Sequence, residues 1–245
     1  MSLINKSIEI TEDVLEENRK SNFTFSNLSS GTALTIGNFL RRNLLSLTSG
    51  ISVFGVRISN NDNELISSKF SLLKGISVTV PYLILNAKEI VFKQKREIEI
   101  GEKFSINLKA ENNTDQEIEI KAGDFQESDI VEIQNPEILL ANLQPSSSLS
   151  LELHLKKGIG YKREDQQRED LNFKEENIIP LDSDYSPVKE VNIKIEDSIE
   201  NFIEKKEKLI LTISTNGGIT PKASLEEVLE FSKNTFEDIK EKLKG

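Results

Sequence analysis

Residues 35–46, Thr35-Ile36-Gly37-Asn38-Phe39-Leu40-Arg41-Arg42-Asn43-Leu44-Leu45-Ser46, read as one amphipathic helix. Ile36, Leu40, Leu44 and Leu47 recur at near-helical spacing, with Phe39 beside them. Thr35 is the expected N-cap and Gly50 the expected stop. Arg41 and Arg42 are adjacent, so they point about 100° apart around the helix axis. One helix therefore offers an apolar face and a cationic flank. That suits a surface that packs on one partner and grips another.

The far end of the chain carries a second seam. Thr220 can cap a helix and Pro221 suits its first position. Leu225, Val228, Leu229, Ser232, Phe236, Ile239 and Leu243 then follow helical spacing over about five turns. Burying each large side chain is worth roughly 1.5–3 kcal/mol, which outweighs the cost of ordering the helix only if nearly all are covered. The cover must be another helix or a sheet, in this chain or in a second copy.

Between the seams the pattern changes to alternation. Residues 51–58, 97–100, 105–109, 117–120, 149–155, 191–195 and 209–213 alternate apolar with polar, as half-buried strands do. Phe23-Thr24-Phe25 predicts a strand leading into the first helix, and residues 77–80 are β-like until Pro81 interrupts them. The charged run at 162–177 predicts a solvated loop. Asn216-Gly217-Gly218 is a turn signal. The expected class is α+β, with a mainly-β middle inserted between two flanking parts that carry the helices.

Composition narrows the function. The formal charge is −10, which argues against nucleic-acid binding through a broad basic surface. With no cysteine and a single histidine, His154, disulfides, thiolate zinc, cysteine catalysis and His-rich metal cages are excluded. No apolar run approaches the ~20 residues that span a bilayer, and residues 1–10 lack the features of a secretion or transit peptide. The chain is expected to work where it is made, without a membrane.

Three motifs invite chemistry and lose to plainer readings. Asp182-Ser183-Asp184 could hold Mg²⁺, but two acids at this spacing are common by chance. Gly158-Ile159-Gly160 lacks the third glycine and following helix of a phosphate loop and reads as a turn. His154 alternates within a strand and reads as packed or half-exposed. No catalytic residue, metal site or cofactor is expected.

Five ordered segments carry a family resemblance. Residues 35–46 resemble the Thr-Leu-Gly-Asn-Ala-Leu-Arg-Arg-x-Leu-Leu-Ser helix of the N-terminal domain of the bacterial and plastid RNA polymerase alpha subunit. Tyr82-Leu83-Ile84-Leu85-Asn86-Ala87-Lys88 resembles that family's Ile-Leu-x-Leu-Asn-Leu-Lys. Lys157-Gly158-Ile159-Gly160-Tyr161 resembles its Arg-Gly-Arg-Gly-Tyr, and Tyr185-Ser186-Pro187-Val188 its Tyr/Phe-Ser-Pro-Val. Residues 208–221, with Thr215-Asn216-Gly217 and Pro221, resemble its closing strand, turn and helix start.

The resemblance implies a dimerisation domain at 1–50 and 176–245 with a mainly-β insert at 51–175. It implies a homodimer on which the two large catalytic subunits, of beta and beta-prime type, assemble for DNA-directed RNA synthesis. Ile36, Phe39, Leu40, Leu44, Leu225, Val228, Leu229, Ser232, Phe236 and Ile239 would form the dimer interface. Gly37, Asn38, Arg41, Arg42, Lys88, Gly158, Gly160, Tyr161, Ser186 and Pro187 would contact the large subunits. Phe39 stands where the family usually has alanine, Thr48-Ser49 replaces the usual residue and proline before Gly50, and Ile159 replaces an arginine. Family members usually continue into a linker and a small DNA-binding domain. This sequence stops at Gly245, so direct DNA contact through that module is not expected. Reduced length and biased composition favour a plastid stroma over a bacterial cytoplasm. The rival readings are a stand-alone dimeric scaffold or regulator of the same fold, and an enzyme built on carboxylates alone.

Overall fold

Alternating apolar residues make strands of much of the chain, and four helices interrupt them among the described residues. The computed structural model describes residues 8–60, 65–66, 68–71, 73–170, 177–201 and 204–244. In chain order the first elements are β1 (Glu9–Glu16), β2 (Lys20–Ser29), α1 (Thr32–Leu47), β3 (Ser49–Asn60), β4 (Leu65–Ile66), α2 (Val80–Lys88), β5 (Phe92–Gln94), β6 (Lys103–Asn112), β7 (Ile118–Lys121) and β8 (Val131–Ile133). Then come β9 (Leu139–Leu143), β10 (Ser147–Ile159), β11 (Tyr161–Lys162), α3 (Glu164–Asp170), β12 (Ile179–Pro180), β13 (Ser183–Asp184), β14 (Val188–Asn201), β15 (Glu204–Thr215) and α4 (Pro221–Lys242). They fall into two units, Met1–Thr48 with Ser186–Gly245, and Ser49–Tyr185. The architecture is α+β.

The discontinuous unit is a four-stranded antiparallel sheet, β1-β2-β15-β14, carrying α1 and α4. Its strands contribute Phe23, Phe25, Leu209, Leu211 and Ile213 to one core, and the helices add Leu40, Leu44, Leu225 and Val228. Gly37 is where α1 comes closest to the sheet. A Cβ there would stand 3.0 Å from Leu209 Cδ1 and 3.1 Å from Ile193 Cγ2, so any larger residue would have to push these side chains aside by a few tenths of an ångström.

The ends of α1 differ from the sequence expectation. The helix starts at Thr32, with Gly31 as N-cap at φ 83°, and Thr35 lies inside its first turns. The orphan amides are satisfied from a distant strand. The Glu207 carboxylate accepts from Gly31 N at 2.7 Å through Oε1 and from Ala33 N at 3.1 Å through Oε2, an anion at the positive helix end. The helix stops at Thr48, which turns extended, and Gly50 already belongs to β3. At α4 the expectation holds: Thr220 Oγ1 accepts from Ala223 N at 3.2 Å and Pro221 opens the helix.

The inserted unit is built on β12-β3-β10-β6, with β4 paired to β3 and three two-stranded ribbons, β11-β13, β5-β8 and β7-β9. Val53, Val56 and Ile58 of β3, Leu149, Leu151, Leu153 and Leu155 of β10, and Ile106 and Leu108 of β6 face one core, which α2 joins through Leu83, Ile84 and Ala87. The unit extends to Tyr185, where the sequence reading drew the boundary at 175. Ile179 and Pro180 pair with β3, and Ser183 and Asp184 pair with β11, which holds the later residues to this body.

Two other expectations are corrected. Residues 97–100 form no strand: Glu102 N donates to Glu99 O at 3.0 Å, and the Glu102 carboxylate accepts from Glu99 N at 3.1 Å. A turn takes the backbone groups that a ladder would need, Ile98 is buried and Ile100 is exposed. The charged run is not wholly a loop, because residues 164–170 form α3 with Gln167 fully buried. Residues 171–176 of that run lie outside the described residues.

Candidate interaction surfaces

The seam of α4 is divided along its length. Leu225, Val228 and Ser232 are buried in the core of their own unit, while Leu229 is 42%, Phe236 58%, Ile239 49% and Leu243 82% exposed. On α1, Leu40 and Leu44 are buried, Ile36 is half-buried and Phe39 is exposed at its edge. The Phe39 and Phe236 rings stack, with centroids 5.9 Å apart and planes 28° from parallel. The expected dimer set thus divides in two. Leu40, Leu44, Leu225, Val228 and Ser232 are core residues of the protomer, because the sheet beneath already covers them. Phe39, Leu229, Phe236 and Ile239 present apolar surface outward.

The cationic flank is open. Asn38, Arg41 and Arg42 are exposed on α1, and among the described residues neither guanidinium pairs with a carboxylate. Leu34 and Leu45 are exposed one helical row from Asn38 and Arg41, a stripe at i, i+4, i+7 and i+11. The sequence reading passed over both leucines, although this spacing was there to find them. Gly37 faces the sheet, and Pro187 is buried with its carbonyl accepting from Asn216 N at 2.9 Å. Both are packing positions in the protomer. Ser186 is half-buried.

In the inserted unit, Lys88 and Tyr161 meet at one carboxylate, and Gly160 precedes Tyr161 in the chain. Lys88 Nζ reaches Asp182 Oδ2 at 2.8 Å, and Tyr161 OH donates to the same oxygen at 2.9 Å. Burial pushes the Asp182 carboxyl up, but the bonds from Lys88 and Tyr161 outweigh it and hold it below the usual carboxylate range. The Asp182 carboxylate in turn raises the Tyr161 phenol. Gly160 makes the turn before β11 at φ 67°. Gly158 is buried, and a Cβ there would stand 2.9 Å from the Tyr185 ring, so it serves packing. Asp182, weighed in sequence as half of a metal pair, instead orients two of the expected contact residues. Its offset from Lys88 is 94 positions, which no local pattern reveals. His154 sits edge-on to the Phe54 ring with centroids 6.3 Å apart.

Comparison with known proteins adds a lineage to these surfaces. A family model described as the RNA polymerase Rpb3/RpoA insert domain matches residues 56–186. Proteins named DNA-directed RNA polymerase subunit alpha align over most of the chain. That of Bacteroides thetaiotaomicron is 37% identical over 216 residues, covering 86% of this chain and 60% of the relative. That of Trichodesmium erythraeum is 32% identical, covering 89% and 65%, and that of Synechocystis sp. is 30% identical, covering 96% and 70%. This chain therefore spans about 60% of the Bacteroides relative's length.

Proposed function

The chain belongs to the RNA polymerase alpha-subunit family, and from that premise we propose that it pairs with a second copy of itself and seats the two large catalytic subunits of a DNA-directed RNA polymerase. In this reading it carries no catalytic residue and works by fixing where its partners stand. The observation that carries the reading is the uncovered half of α4. Phe236, Ile239 and Leu243 continue the face that Leu225 and Val228 bury, yet they stay 58%, 49% and 82% exposed, with only the Phe39 ring stacked on Phe236 among the described residues. The proposed cover is the same face of a second copy.

The open Arg41–Arg42 flank and the Lys88–Asp182–Tyr161 surface are the proposed seats for the large subunits. Guanidinium forks suit carboxylates and carbonyls at protein interfaces. Two identical seats would face two unequal partners, so the first to bind breaks the symmetry. The proposed compartment is the cytoplasm of a bacterium or a plastid stroma. The bacterial relatives support the first, and composition supports the second.

Light scattering and affinity capture test the reading together. Wild-type chain should run as a dimer and bring down two large polymerase subunits. Arg42→Ala should keep the dimer and lose large-subunit yield. A monomeric wild-type chain, or capture of no polymerase subunit, would overturn the proposal.

A further inference from the structure

A neutral side chain anchors the most charged stretch of the inserted unit. Gln167, in the middle of α3, is 0% exposed. Its amide reaches three residues outside its own helix, on β10, on β13 and just after β13. Nε2 donates to Ser183 Oγ at 3.1 Å and to Tyr185 OH at 2.8 Å, and Oε1 accepts from Lys156 Nζ at 3.2 Å. Ser183, also fully buried, passes the chain on by donating to Val53 O at 2.7 Å. Lys156 is buried beneath this amide, with its ammonium 5.5 Å from the Phe54 ring centroid and 6.0 Å from that of Tyr185. A buried network of this kind is tied to one geometry, because a displaced amide leaves both its donors and its acceptor without partners.

The network touches the candidate docking surface through the backbone. Ser183 pairs with Lys162, and Asp184 with Tyr161, in the β11-β13 ribbon. Asp182, one residue earlier, holds Lys88 and Tyr161. The ribbon is only two residues wide, too short to hold its own register. Its register therefore depends on what pins Ser183 from beneath.

We propose that Gln167 is a positioning residue for the Lys88–Asp182–Tyr161 surface, fixing the β11-β13 ribbon from the buried side so that this surface is preformed for its protein partner. The partner's identity rests on the reading above; the positioning does not. Glutamine suits the place because it donates twice and accepts at once. Leucine would fill the space and do neither. Glutamate would keep the acceptor for Lys156 and give up both donors.

Hydrogen exchange on the whole 245-residue chain, with large-subunit capture alongside, tests this. Gln167→Leu should leave the dimer and its far-ultraviolet dichroism intact, and speed amide exchange at 161–162 and 183–184 at least tenfold. It should also lower large-subunit yield as far as Lys88→Ala does, with Gln167→Glu in between. Ser183→Ala, which removes the node but leaves α3 its amide, should speed the same amides and serves if Gln167→Leu does not fold. Unchanged exchange at these amides in both variants overturns the proposal. Faster exchange with large-subunit yield unchanged in Gln167→Leu and in Lys88→Ala alike would uphold the positioning and remove the large subunit as the partner of this surface.

Discussion

Helix α4 follows one apolar seam from end to end, yet its two halves meet different surroundings. Leu225 and Val228 lie against Phe23, Leu211 and the rest of the sheet core, whereas Phe236, Ile239 and Leu243 are about half exposed or more. Periodicity names the face that must be covered. It does not say which molecule covers it. Where a seam outruns the sheet beneath it, the residues past the edge are the ones the proposed dimer would cover.

The halves can be separated by charge. Val228→Asp would bury a carboxylate with no partner, and the protein should lose its cooperative unfolding transition. Phe236→Asp should keep a wild-type far-ultraviolet spectrum and become monomeric by light scattering. If Phe236→Asp stayed dimeric, the exposed half of α4 would not be the interface. A gentler version removes methylenes in the monomeric Phe236→Asp background. There Leu225→Ala should cost about 2–5 kcal/mol by denaturant titration, and Ile239→Ala less than ~0.5 kcal/mol. Equal costs would mean that the protomer's core reaches further along the helix than its exposures indicate.

What could be read in advance follows the range of the interaction. The α4 seam, its Thr220 cap and its Pro221 start are local, and each stands as expected. The cap of α1 was not legible, because Glu207 lies 176 positions from Gly31. Residues 77–80 look like a strand, but Pro81 fits the first turn of α2 because the amide it lacks has no helical partner there. Residues 97–100 alternate as strands do, and Glu102 turns them instead. Gln167 was hidden by its neighbours, since Arg168, Glu169 and Glu164 make the run look solvated while one neutral residue in their midst is buried. The exposure of Arg41 and Arg42 on their helix face follows from local spacing. Gly37 and Gly158 are buried, and at both the missing side chain leaves room for neighbours in the same unit.

The caps extend the contrast between local and distant support. Thr220→Ala removes an acceptor supplied from the helix's own start and should cost about 1 kcal/mol. Glu207→Ala removes a carboxylate shared by two amides of α1 and should cost at least as much, for it also loses the charge at the helix N-terminus. Its part should fall with added salt, and that of Thr220 should not. Denaturant titrations at low and high ionic strength would show it. Identical salt responses would remove the electrostatic part of the α1 cap.

A small effect is expected at the polar surface of the inserted unit. Lys88 and Asp182 are 26% and 38% exposed at their side chains, so their pairing should stabilise the fold by no more than about 1 kcal/mol. Its dependence on pH has a definite sign. Asp182 is held below its ordinary value of 3.8 in the folded chain, so the folded state resists protonation that the unfolded chain accepts. The stabilisation is therefore present in full above 3.8 and disappears as pH falls through the lower folded value. Asp182→Asn should be less stable than wild type at neutral pH and converge with it in acid. An offset that stayed constant down to pH ~2 would mean that Asp182 acts by packing and not by its charge, and the surface around Lys88 and Tyr161 would then owe its shape to the buried Gln167 network alone.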